Sequence, residues 1–441
     1  MSGNLEEFVN TVRNLSSQGQ LSQLCDHMNK SWNLLVKNIS HLDTMLEALD
    51  IQEHTLGVLY ILCVKVSTFQ SSSNQEEFEQ LLLQVDLFVS QCNKDQTRYS
   101  IGNFAQMCHT LTNELCQRNM AIRGIKLISR IIEQVQEHPS QLTSVHADLC
   151  QLCLTAKCLK PAAKYLDIEV TDISKENGFY ECKHYLSYYY YGGMIYTALK
   201  NYKRALYFFE QAVVCPATAI SHIMVEAYKK YILISIISEG RVLPFPKYTS
   251  HIVQRGIKPL CGAYTVLLNA YATYSPAKLN SVLESHGQVF IQDKNMGLVK
   301  QVIASLHKRN IQRLTKTFIT LSLSDVSSRA HLSSPQEAET QLRNMIDDGE
   351  IYATINQKDG MVSFYDNPEK YNNPAMLEAI DKDIQYFMEL DRKLQEMDCQ
   401  IQVNPQYVKK AKSVTSHDDE MDGGLLSRAS SSATSNSVKS G

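Results

Sequence analysis

Apolar residues recur at three- and four-residue spacing almost from the first position, and this period constrains the chain more than any other feature. Leu5, Phe8, Val9, Val12 and Leu15 make one stripe, and Leu42, Met45, Leu46 and Leu49 another. Leu82, Val85, Phe88, Val89 and Cys92 continue the pattern, followed by Ile125, Ile128, Ile132 and Val135, then by Leu142, Val145, Leu149 and Leu152. A helix with one apolar stripe must be covered, and without strand signals the cover has to be another helix. Gaps between stripes are short and polar, as at Ser71-Ser-Ser-Asn-Gln and His138-Pro-Ser, and no sustained period-two alternation occurs before about residue 345. The first two thirds are therefore expected to be all-α.

A chain of helical pairs invites a search for internal repeats. The stretch YYYYGGMIYTALKNYKRALYFFEQA spans residues 188–212. With Ala205 as the small residue of a tetratricopeptide-like hairpin, Gly193 and Tyr196 fall on the first helix. Phe209 and Ala212 then fall on the second, with Pro216 just beyond. Small Gly193 and Ala205 let two helices approach, and Tyr196 and Phe209 fill the space between them. A shift of 43 residues upstream places Cys150, Cys153, Lys157, Ala162 and Leu166 on the positions of Gly193, Tyr196, Lys200, Ala205 and Phe209. The N-terminal part thus reads as a degenerate stack of helical hairpins. The frame turns Tyr189 and Tyr196 toward the partner helix and leaves the other rings to bridge hairpins. Four adjacent rings on a helix point in every direction, so they do not make a base-stacking platform.

The texture changes near residue 306. A helix is expected from His307 to Leu321, with Ile311, Leu314 and Phe318 inward and Arg309, Arg313 and Lys316 outward. A short helix follows at SLSDVSSRA, and a third opens at Ser334-Pro335 with Ala338, Leu342, Met345 and Ile346 inward and Gly349 as its stop. EIYATIN, the turn QKDG and MVSFYD then make the one clear strand pair. Three helices and a hairpin in that order make a winged helix. Asn373-Pro374 opens a long helix on which Ile380, Ile384, Phe387, Leu390, Leu394, Met397 and Ile401 keep the spacing of a helix-on-helix seam. From about residue 403 the composition turns Ser-, Asp- and Gly-rich and is expected to be disordered, with Ser430 a phosphorylation candidate. The expected domains are 1–195 (helical repeats), 196–366 (a helical part to 305, then the winged helix), 374–402 (the long helix) and 403–441 (the tail).

Composition excludes several classes. With 441 residues, 44% hydrophobic and 20% charged, the chain can bury more than one core. A formal net charge of −3 supplies no global field for nucleic acid. The opening MSGNLEEFVN has no basic or apolar leader pattern, and the apolar runs 56–64 and 231–237 are too short to span a bilayer. Twelve cysteines without a leader read as buried or reactive thiols in a reducing compartment, cytoplasm or nucleus. His146, Cys150, Cys153 and Cys158 have zinc-like spacing, but one continuous helical pattern carries them and does not converge ligands tetrahedrally. Core packing is the reading preferred for them. No HExxH, GxSxG, P-loop or GxGxxG occurs, so no catalytic site and no cofactor are expected. The third helix of the winged helix carries Glu337, Glu339, Asp347 and Asp348 against Arg343, the wrong sign for phosphate.

Helical hairpins running into a winged helix resemble the PCI domain of the proteasome lid, the COP9 signalosome and an initiation-factor complex. The specific likeness lies in AETQLRNMIDDGEIYATINQKDGMVSF, at Met345, Ile346, Gly349, Ile351, Ala353, Ile355, Gln357, Gly360, Val362 and Phe364; Asn356 stands where the family usually has Asp. HADLCQLCLTAKC, YYYYGGMIY, NMGLVKQ, NIQRLTKTF and DNPEKYNNPAM extend the resemblance to a COP9 signalosome subunit over about residues 1–405. The resemblance implies a non-catalytic scaffold in cytoplasm and nucleus, within a complex that removes Nedd8 from cullins of cullin-RING ligases. It also implies pairing with neighbouring subunits through the hairpin edge (Ile351, Ala353, Ile355, Met361, Val362, Phe364). The long helix would join a bundle through the seam from Ile380 to Ile401. Neighbours on family grounds are the first and eighth subunits, with no nucleic acid and no membrane. A proteasome-lid PCI scaffold and a winged-helix nucleic-acid binder stand as alternatives.

Overall fold

The computed structural model describes residues 3–69, 75–366 and 373–409. It divides into two compact units, Met1–Met345 and Ile346–Gly441. Ser430 and the tail from residue 410 lie outside the described residues, as do residues 367–372 of the DNPEKYNNPAM stretch.

Helices fill the first unit. α1 (Gly3–Ser17) folds back on α2 (Leu21–Lys37), and α3 (Leu42–Glu47) precedes α4 (Thr55–Thr68). α5 (Gln75–Gln91) and the short α6 (Lys94–Thr97) lead to α7 (Ile101–Gln117) and α8 (Ala121–Val135). Then come α9 (Val145–Thr155) with α10 (Lys160–Leu166), and α11 (Cys182–Ala198) with α12 (Tyr202–Val214). α13 (His222–Glu239), α14 (His251–Leu260), α15 (Gly262–Ala272) and α16 (Pro276–Gln292) follow. α17 (Met296–Thr315), α18 (Leu323–Ala330) and α19 (Pro335–Asp347) complete the series. The apolar run 56–64 forms most of α4, which is buried on every side, as a helix without a polar face must be.

One backbone device closes many of these hairpins. Asn119, Lys157, Lys200, Lys294 and His331 each end a helix in the left-handed region, at φ 57°, 56°, 60°, 56° and 57°. The N–H of the next residue returns to a carbonyl five residues back: Met120 to Leu115, Cys158 to Cys153, Asn201 to Tyr196, Asn295 to Phe290 and Leu332 to Ser327, all at 2.8–3.0 Å. Gly19 and Gln20 do the same after α1. This is the Schellman closure, which satisfies carbonyls that a helix end leaves open. It recurs at Lys157 and Lys200 in the 43-residue register of the sequence, and at Asn119 it marks a further hairpin upstream.

Packing follows that register. Gly193 faces Phe209 so closely that a Cβ there would stand 2.7 Å from the ring, and Gly192 meets Phe208 at 2.6 Å. Ala205, Phe209 and Ala212 are fully buried on α12, and Cys153, Ala162 and Leu166 are fully buried one hairpin earlier. Burying one such Phe side chain is worth roughly 1.5–3 kcal/mol.

Several local expectations change. Leu142 sits in a two-residue strand, β1 (Gln141–Leu142), paired in parallel with β2 (Asp172–Ile173), and not on the α9 stripe. Pro139 and the turn bond from Gln141 N–H to the His138 carbonyl hold that segment out of helix. The helix expected over 307–321 begins earlier and ends at Thr315. β3 (Thr320–Ser322) follows, where β-branched Thr317, Ile319 and Thr320 favour extended chain and Ser322 Oγ caps α18 by accepting from Asp325 N–H at 3.0 Å.

The second unit contains an antiparallel hairpin, β4 (Ala353–Asn356) and β5 (Met361–Phe364), with Ala353 opposite Phe364 and Ile355 opposite Val362. Gly360 takes φ 61° at the turn and Gly349 takes φ 70° after α19. α20 (Pro374–Gln402) is a 29-residue helix. The tail was expected to be disordered from residue 403, but residues 405–409 make one more helical turn. Asn404 caps it, its Oδ1 accepting from Gln406 N–H at 2.9 Å, and Pro405 suits its first position.

Candidate functional site

The residues with zinc-like spacing are spent on packing. His146 is buried, its Nδ1 accepts the Thr143 backbone N–H at 3.1 Å, and burial pushes its pKa down to about 4. Its ring meets Tyr165 and Tyr188 edge-on. Cys150 and Cys153 lie in the core of α9, where burial pushes both thiols up, while Cys158 is half-buried on the Schellman turn.

The tyrosine tract is also structural. Tyr189 and Tyr196 both contact Phe208 of α12 at 5.2 Å between ring centres. Tyr196 Oη donates to Asp167 Oδ1 at 2.6 Å, which ties α11 to the hairpin before it. Tyr190 lies under the Lys230 ammonium of α13 at 5.6 Å, so it bridges forward, while Tyr188 reaches back to His146.

Of the basic stripe expected outward near residue 310, Arg313 and Lys316 are exposed and Arg309 is half-buried. Arg309 donates to the Ser238 carbonyl and to Gln312, and the Arg313 guanidinium lies 4.2 Å from the centre of the Tyr274 ring. On α19, Ser334 Oγ caps the helix by accepting from Glu337 N–H, and Glu337 Oε2 accepts from Ser333 N–H at 2.9 Å. Arg343 is paired with Glu339 at 2.8 Å. Two of the three cations expected outward, and the one on α19, are thus committed within the chain.

The hairpin offers backbone instead. Tyr365 N–H donates to the Tyr352 carbonyl at 3.0 Å, so these two residues form a hydrogen-bonded pair. By alternation Thr354–Ser363 and Asn356–Met361 are bonded pairs as well. The backbone groups of Ala353 and Ile355 therefore point away from β5, on the edge of a terminal strand. Ile351, Ala353, Val362 and Phe364 bury their side chains, Ile355 is half-buried and Met361 is exposed.

α20 exposes a row of large apolar side chains. Ile380, Phe387, Leu394 and Ile401 recur every seven residues and are 44%, 64%, 57% and 53% exposed. Ile384 and Met397 flank them, also exposed, and Leu390 is half-buried. Heptad spacing of large aliphatic and aromatic residues is the pattern of a helix that packs along another helix.

Sequence reasoning missed one polar cluster. A cavity of about 490 Å³ opens between α7, α9 and α11 and the turn 176–178. In it His109 Nδ1 donates to Asp148 Oδ2 at 2.6 Å, and the His184 ring stacks on His109 at 4.5 Å. Burial alone would lower the His109 pKa, but Asp148 more than reverses this and the imidazole keeps its proton more tightly than usual. Burial pushes Asp148 up, and His109 pulls it part of the way back. These residues lie 36 to 75 positions apart, so no local motif could have joined them.

The family model described as "COP9 signalosome complex subunit 3, N-terminal helical repeats" matches residues 18–253, more than half of the chain. The chain belongs to the COP9 signalosome subunit 3 family. The PCI domain model matches residues 283–366. COP9 signalosome complex subunit 3 of Drosophila melanogaster is 46% identical over 436 residues, covering 96% of this chain and 97% of that protein. The Dictyostelium discoideum subunit 3 is 36% identical over 371 residues, 84% of this chain and 87% of that one. The five quoted stretches likewise resemble subunit 3. As a member of the family, the chain is a non-catalytic PCI scaffold subunit whose partners are other signalosome subunits. Among the described residues, no helix is long and apolar enough to cross a membrane.

Proposed function

We propose that this chain holds the signalosome together while other subunits remove Nedd8 from cullins of cullin-RING ligases, in cytoplasm and nucleus. The observation that carries the reading is the exposed heptad row on α20, Ile380, Phe387, Leu394 and Ile401. Left in water, each such side chain forgoes roughly 1.5–3 kcal/mol of burial, so the row is most stable inside a helical bundle formed with other subunits.

The second contact is the β4 edge, where Ala353 and Ile355 offer backbone donors and acceptors to a neighbour's strand. Val362 and Phe364 hold the hairpin in register from the inside, and Met361 flanks its turn. The first and eighth subunits are the proposed neighbours. The proposed divisions are a repeat domain over 1–195, a PCI domain over 196–366 and a bundle helix over 374–402, with Ser430 the modification candidate.

Affinity purification of the tagged chain from cells tests the reading. Stoichiometric recovery of deneddylase subunits supports it, and recovery of proteasome ATPases in their place contradicts it. Full-length chain that binds duplex DNA at low salt with micromolar affinity would favour a nucleic-acid role.

A further inference from the structure

The first helices of three successive hairpins, α7, α9 and α11, lie side by side and wall the cavity of about 490 Å³. That volume falls within the usual range of ligand pockets, roughly 300–1,000 Å³. Stacked helical hairpins commonly use such a surface to grip partner segments. The lining is rich in side-chain amides and hydroxyls, among them Gln106, Asn113, Gln151 and Ser187, which suits a polar occupant.

The charges within it do not balance. His109 and Asp148 neutralise each other across their 2.6 Å bond, and Lys183 and Glu181, also in the lining, carry opposite charges. His184, pushed down to about 4 by burial and by the charge on His109, stays neutral. Glu176 is left over. Its Oε1 accepts the Ser144 N–H at 2.7 Å at the start of α9, but its Oε2 is buried without a partner among the described residues. The whole residue is only 3% exposed. A buried acceptor without a donor is costly, and more so if charged.

The backbone there is held against its preference as well. Glu176 has φ 44°, a region L-residues with a side chain avoid. Gly178 and Phe179 N–H groups fix the turn by donating to the Lys175 and Glu176 carbonyls at 2.7 and 3.1 Å. Phe179 lies against Gly102, where a Cβ would stand 2.1 Å from the ring. Strain and an orphaned oxygen thus meet at one side chain that lines a cavity, a combination typical of ligand clamps.

We propose that this cavity receives one cationic side chain, lysine or arginine, carried on an extended segment of another protein, with Glu176 Oε2 as its acceptor. An anion would face Glu176; burial pushes this carboxyl up, and a cation beside Oε2 is the occupant that favours its charged form. The rings of Phe179 and Tyr191 wall the space and suit the alkyl stem of such a side chain.

Saturation-transfer NMR on the full-length chain tests this with three capped peptides: acetyl-Gly-Arg-Gly-amide, acetyl-Gly-Lys-Gly-amide and acetyl-Gly-Gln-Gly-amide, each at roughly millimolar concentration. Transfer to a cationic peptide should exceed transfer to the Gln peptide roughly tenfold or more, and Glu176→Gln should abolish the difference. Glu176→Gln retains an acceptor for the Ser144 N–H, so its helical circular dichroism should match the parent. A second variant, Gly102→Ala, displaces Phe179 and should weaken cationic transfer while Glu176 remains. Equal transfer to all three peptides, or undiminished cationic transfer in Glu176→Gln, would overturn the proposal.

Discussion

Lys157 and Lys200 stand 43 residues apart and hold the same left-handed backbone, φ 56° and 60°, each at the turn of a helical hairpin. The following N–H closes on Cys153 in one hairpin and on Tyr196 in the other. A lysine in this conformation costs about 1 kcal/mol relative to glycine. Lys157→Gly and Lys200→Gly are each expected to stabilise the chain by about 1 kcal/mol, offset in part by glycine's greater freedom when unfolded. Lys200→Val should destabilise it. Urea unfolding monitored by circular dichroism reads all three.

Gly193 is expected to tolerate no side chain. A Cβ would lie 2.7 Å from Phe209, which is fully buried and cannot swing aside. Gly193→Ala should cost about 1–3 kcal/mol, and Phe209→Leu should cost less when combined with it than alone, because the smaller side chain relieves the clash. Melting temperatures of the two single variants and the double variant close the cycle. Simple additivity would show that the two residues do not share the contact.

Stability should fall with acid in a way that His146 explains. An unfolded His takes up a proton near pH 6.5, but burial holds the folded imidazole neutral down to about pH 4. Its contribution is therefore fully present above about pH 6.5 and is lost as pH drops toward 4. Between pH 7 and pH 5 the loss from this one group is about 2 kcal/mol. His184, also lowered to about 4, acts in the same direction with less weight because it is only half-buried. His109 is raised and acts in the opposite sense: its contribution is complete below about pH 6.5 and fades as pH rises through its folded pKa. His146→Gln should flatten the slope of urea midpoint against pH between 7 and 5. An unchanged slope would remove His146 as the cause.

Helix positions and the hairpin register were legible in the sequence because both depend on local period and on residue size. Gly193, Ala205 and Phe209 declare their packing wherever the partner helix follows within a few residues. Leu142 did not, because a turn bond and a two-residue strand decide its place and both depend on residues near 172. Arg309 looked outward by period, but its partner is the Ser238 carbonyl, 71 residues earlier. The cluster of His109, Asp148, Glu176 and His184 left no local trace, since three hairpins must stack before it exists. The seam on α20 was readable for the opposite reason. Its period is local, and its residues are exposed in the isolated chain, which is the ground for proposing a cover from other subunits.

That exposure carries the central claim, and Phe387→Asp with Leu394→Asp tests it most directly. Both side chains are more than half exposed on α20, so the variants should keep the fold, with unchanged helical circular dichroism and melting temperature in the isolated chain. In the complex each would place a charge inside an apolar bundle, at a cost of several kcal/mol. Stoichiometry of the tagged double variant in purified signalosome, by quantitative mass spectrometry, is the measurement. The account predicts loss of the variant from the complex while the free chain remains folded. Retention at the level of the unaltered chain would contradict it.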